Sequence, residues 1–159
     1  MATHRQRAQA ELYRDAAVER IGTAHKLYEI GRWVESNYLA GLAVECILRA
    51  YRWMIDPEFD SRHNIDRLYK LAKFADVVPN HDAEKIVAAL GNVIAMWSND
   101  HRFSTVAAIK NRWLRQQLHK RGKKWIKGDF LKERTRELVN SATEIVNTGV
   151  GQWQSSFKN

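Results

Sequence analysis

Residues 37–54, NYLAGLAVECILRAYRWM, are apolar around most of the circumference of a helix. A helix with one apolar stripe lies on the surface of a domain, whereas one that is apolar on nearly every side must be enclosed by several neighbours. The flanking sequence supplies such neighbours. Apolar residues recur with a period near 3.6 along almost the whole chain, and no segment alternates as a half-buried strand does.

The pattern predicts a first helix over about residues 5–31, with Leu12, Ala16, Ala17, Ile21, Ala24, Leu27 and Tyr28 inward and Gly31 ending it. The central helix covers 33–55, where Glu45 and Arg49, four apart, pair along its remaining polar edge. DPEFDSRH, residues 56–63, is a loop. A shorter helix follows over 64–75, with Ile65, Leu68, Leu71 and Ala72 inward and His63 as a capping or packing residue before it. Asn80 is placed to cap the next helix, over 81–97, whose inward face holds Ile86, Leu90, Val93 and Trp97. After the loop SNDHRFS, Ser104 is placed to cap a helix that reaches Arg121, with Val106, Ile109, Trp113 and Leu118 inward. GKKWIKG, residues 122–128, reads as a basic connector, and Asp129 opens a last helix closing near Gly149. There is no repeat, low-complexity tract or linker. The 159 residues are enough for one domain with a real core, so the expectation is a single all-α bundle of about five or six helices spanning 1–159.

Several chemistries have no footing here. The chain has neither a phosphate-cradling glycine loop nor a dinucleotide fingerprint. Its six histidines show no metal-ligand spacing, and the single Cys46 has no second thiol to join, so no metal and no cofactor are expected. The longest apolar run, YLAGLAV at 38–44, is far too short to span a membrane, and MATHRQRAQAE is too polar for a signal peptide. With a lone thiol in an apolar stretch, these features lead us to expect a cytoplasmic protein.

Charge is distributed unevenly. Between Arg102 and Arg136 stand twelve Lys/Arg and two acids, a local excess of +10, although the whole chain carries only +8. Such a segment sets up a positive field that attracts polyanions, nucleic acid above all. Lys120, Arg121, Lys123, Lys124 and Lys127 crowd around Trp125, where lysines can hold a backbone while a base stacks on the indole. On the expected helix, Arg112 and His119 are seven residues apart and Arg115 is four before His119, so all three share a side. An imidazole can move a proton at an RNA 2′-hydroxyl, and a guanidinium can steady phosphate charge. The bland alternative is that these three simply face solvent. A second cluster, His101 and Arg102, sits in a turn with Asn99 and Asp100, where capping and an Asp100–Arg102 pair are the competing explanation.

The order of a long helix, YLAGLAVECILRAY, RHNIDRLYKL, a helix ending in Trp and then HRF resembles the HEPN (higher eukaryotes and prokaryotes nucleotide-binding) family over about residues 5–148. Ala43 to Arg49 follow that family's A-x-x-x-E-x-x-L-(K/R) helix with their own spacing, and His63, Ile65 and Leu68 match its H-x-(L/I)-x-x-L segment. The resemblance implies an antiparallel helical bundle that usually dimerises. Trp33, Trp53, Trp125 and Trp153 are expected to leave apolar surface for a homodimer to cover. Many HEPN proteins are metal-independent endoribonucleases of toxin–antitoxin and antiphage systems, with an arginine, four to six residues and then a histidine. Arg112 and His119 fit with six between them, although Trp113 stands where the family commonly has a polar residue. Other members carry an Arg-aromatic dipeptide, as Arg102-Phe103 does here, and act as non-catalytic nucleotide-binding modules or partners of nucleotidyltransferases. The resemblance thus implies RNA or a nucleotide as ligand, and an antitoxin or a nucleotidyltransferase as protein partner.

Overall fold

The computed structural model describes residues 2–59 and 62–157, so residues 60 and 61 of the expected loop lie outside the described residues. Helix α1, His4–Glu29, opens with a capping box in which Thr3 accepts from the Gln6 amide and Gln6 accepts from that of Thr3. It closes at Gly31, whose φ of 78° lets Arg32 N–H reach back to Leu27 O. Two residues later α2 begins, Trp33–Ile55, and runs back along α1: Ser36 donates to Ala24 O at one end and Trp53 lies near Tyr13 at the other. As the sequence requires, α2 is buried on nearly all sides. It packs chiefly against α1 and α6 (Phe130–Ser156), and α6 in turn packs against α4 (Ala83–Met96).

Close approach fixes two glycines in this core. A Cβ on Gly41 would overlap the Trp97 indole, whose Nε1 donates to Tyr38 O. One on Gly149 would overlap Ile47. Tyr51 donates to Gly149 O at 2.7 Å and meets Phe74 and Trp153 edge-on, and burial raises its phenol pKa to about 12.

The chain folds as an all-α bundle with one two-stranded hairpin, and several local expectations need correcting. Leu12 faces outward, 63% exposed, and Val106 is also exposed. Trp153 is buried, and Trp33 and Trp53 pack against the core, so Trp125 is the one of the four that stands in the open. The third helix shortens to α3, Ile65–Leu71, with Asn64 as its cap and a separate 3-10 turn at Phe74–Asp76. Asn80 lies inside a 3-10 turn and caps nothing with its side chain. Thr105, not Ser104, caps α5, and α5 is only Val106–Arg115. The last helix runs through Gly149 to Ser156, because that glycine is needed against Ile47 and not as a stop.

Candidate nucleic-acid interface

Helix α5 ends in the same motif as α1, but with Gln117 in the left-handed position at φ 60° and Leu118 N–H bonded to Trp113 O. The chain then turns away from the helix axis, and this removes the shared face on which Arg112, Arg115 and His119 were expected. His119 precedes a β-hairpin whose strands are β1, Lys120–Arg121, and β2, Lys124–Trp125. Lys120 pairs with Trp125 and Arg121 with Lys124 across a two-residue loop. Gly122 opens that loop with φ 60°, as a type II′ turn requires, and Ile126 N–H extends the ladder to His119 O.

Arg134 of α6 fastens the hairpin. It donates to Leu118 O at 2.7 Å, to Lys120 O at 2.5 Å and to Glu137 at 2.7 Å. Arg121 adds an ion pair to the same Glu137, and Arg136 pairs with Glu133. Lys123, Lys124 and Lys127 are exposed and have no ion-pair partner among the described residues. Trp125 is 69% exposed, with Lys120 Nζ 5.7 Å from its ring centre and His119 edge-on to it at 4.6 Å. Between hairpin and α6 lies a groove of about 430 Å³, lined by Arg121, Lys124, Trp125, Lys127, Glu133 and Arg136. Basic residues thus surround an open aromatic ring that is held on a fixed backbone.

The expected catalytic residues are dispersed. His119 is 6% exposed, wedged beside Trp125 and Phe130, and its buried Nδ1 has no hydrogen-bond partner. Arg115 is exposed at the end of α5. Arg112 acts on His101 instead. His101, 2% exposed, bonds through Nδ1 to Asn37 Oδ1 at 2.7 Å. Burial first, and the Arg112 guanidinium second, push its pKa down to about 4 against the opposing Asp100. The ring is therefore a neutral core residue near pH 7. Its neighbour Arg102 lies over the exposed Phe103 ring at 4.5 Å and forms no ion pair with Asp100 among the described residues, while Ser98 supplies the cap of their 3-10 turn.

Sequence reasoning missed the partner of Glu45. The expected Arg49 pair forms, at 2.7 Å, but on a buried carboxylate that also accepts from His63. Eighteen residues separate these two, and nothing in their spacing links them. Among the described residues no three His, Cys, Asp or Glu side chains are placed to hold a metal ion, and no helix is long and apolar enough to cross a membrane. Comparison with protein-family models, curated proteins and solved structures found no match.

Proposed function

We propose that this chain is an HEPN-like helical bundle that binds RNA through the hairpin of residues 120–127. One observation carries the reading: an open indole, Trp125, stands among Lys120, Lys123, Lys124 and Lys127 on a strand pair tied to α6 by Arg134. Lysines on the phosphates and a base on the ring is how single-stranded nucleic acid is held without sequence preference. Duplex offers its phosphates but no free base face, so single strands should bind more tightly. Trp125→Ala should weaken single-stranded RNA binding by about 1–3 kcal/mol, the worth of one stacked base. A fluorescence titration with a labelled oligoribonucleotide measures this, and equal affinity in the variant removes the stacking role.

As a catalytic unit, Arg112, Arg115 and His119 draw no support from the geometry, because His119 is enclosed and the Arg112 charge is felt at His101. The rival reading, a silent module engaging a nucleotide or a partner such as a nucleotidyltransferase or antitoxin, draws on the exposed Arg102-Phe103 pair. Loss of partner capture in Phe103→Ala, with RNA binding intact, would favour it. A homodimer belongs to the same proposal, now supported by the exposed apolar Leu12, Val18, Val87 and Ile94. Light scattering at micromolar concentration should give twice the mass of the chain, and the mass of one chain would refute it. A cytoplasmic, toxin or antiphage setting is proposed on the family resemblance and on the single buried Cys46. Following the tagged protein through cell fractionation tests the location.

A further inference from the structure

The groove between the hairpin and α6 is basic, yet one carboxylate, Glu133, lines it beside Arg121, Lys124, Lys127 and Arg136. A carboxylate repels phosphate, so Glu133 adds nothing to the hold on an RNA backbone. Nor is it used up by its neighbours. Arg136 Nη2 donates to its Oε2 at 2.5 Å, while Oε1 has no hydrogen-bond partner among the described residues. Glu137, one turn further along α6, differs on both counts. Arg134 and Arg121 occupy its two oxygens, and it does not line the groove.

Trp125 and Glu133 hold fixed places on the two walls of this groove. Arg134, next to Glu133 on α6, donates to Leu118 O and Lys120 O, and Lys120 pairs with Trp125 across the hairpin. A base stacked on the groove side of the indole therefore shares the groove with one partly free carboxylate. Stacking and phosphate contacts do not distinguish bases, but a carboxylate does, because it can only accept. Guanine carries two adjacent donors on its Watson–Crick edge, N1–H and the 2-amino group, one for each oxygen. Oε2 keeps a lone pair after Arg136 has donated, so both oxygens can take part. Adenine and cytosine set a ring-nitrogen lone pair beside their amino donor, and the N3–H of uracil lies between two carbonyl oxygens. Each of these three brings an acceptor up to the carboxylate along with its donor.

We propose that the groove selects guanine in single-stranded RNA, with the base stacked on Trp125 and its N1–H and 2-amino group donating to Glu133. Arg136 holds the carboxylate in place. This inference rests on the hairpin reading and adds a base preference to it.

The test measures binding of the full chain to labelled oligouridylates that carry one central guanosine, adenosine, inosine or 7-deazaguanosine. Wild type should bind the guanosine oligomer about tenfold more tightly than the adenosine one. 7-Deazaguanosine keeps both donors and should match guanosine, whereas inosine lacks the 2-amino group and should lose most of the advantage. Glu133→Gln removes a charge that repels phosphate, so its affinity for the adenosine oligomer should hold or rise while the guanosine advantage disappears. Retained adenosine binding also shows that the variant is folded. Equal affinity of wild type for guanosine and adenosine overturns the proposal. So does a guanosine advantage that survives in Glu133→Gln, or inosine bound as tightly as guanosine. If the bases bind equally and Trp125→Ala weakens them all, the hairpin reading stands without this one. If Trp125→Ala binds every oligomer as wild type does, or wild type binds none, both fall.

Discussion

At His101 a titratable side chain is committed to a buried hydrogen bond, and this sets a pH limit on the fold. Free imidazole titrates near 6.5, whereas in the folded chain the value is about 4, through burial and the nearby Arg112. Its stabilising effect is complete above the unfolded value. As pH falls from about 6.5 towards 4, the unfolded chain takes up a proton that the folded one refuses, so stability drops, by roughly 3 kcal/mol in total. Urea unfolding at pH 7 and pH 4.5 should show this loss, and His101→Gln, which keeps an amide for Asn37, should show a much smaller one. Equal losses in both proteins would place the effect elsewhere, on the carboxylates. His119, the residue the sequence favoured, shows a different limit on reading single residues. An Arg and a His seven apart share a face only if the helix continues between them, and here it stops at Arg115.

At the scale of elements, the hairpin depends on one arginine. Arg134 satisfies two carbonyls from the turn and first strand, and it shares Glu137 with Arg121. Arg134→Ala should therefore loosen the hairpin without melting the bundle. The Ile126 amide, bonded to His119 O, should exchange faster with deuterated solvent, at a cost of about 1–3 kcal/mol for the polar groups left unmatched. Unchanged exchange at Ile126 would show that the strand pair holds itself. Long elements were legible because periodicity sums over many residues: α2 was expected at 33–55 and is found at Trp33–Ile55. The hairpin was not, because the left-handed residue ending α5 is Gln117, which carries none of the glycine signal that marked Gly31. Two-residue strands are also too short to alternate visibly. The basic cluster around Trp125 could be read from composition alone, since charge needs no fold to be counted. The Glu45–His63 contact could not, since it joins a helix to a loop eighteen residues away.

For the whole molecule, the central question is whether the charge excess does electrostatic work on RNA. The chain carries +8, and residues 102–136 hold more than all of it. Arg121, Arg134 and Arg136 of that segment pair with Glu133 and with Glu137 just beyond it, so around the hairpin the unpaired positive charge falls to its lysines. Lysines that neutralise phosphates release counterions, and for single strands each contact adds about 0.7 to the slope of log affinity against log salt. The decisive measurement is the affinity for single-stranded RNA over a range of salt concentrations, in wild type and in the protein with Lys120, Lys123, Lys124 and Lys127 all replaced by Ala. The hairpin account predicts weaker binding and a slope shallower by up to about 3. Equal affinity and an equal slope in the two proteins would contradict it.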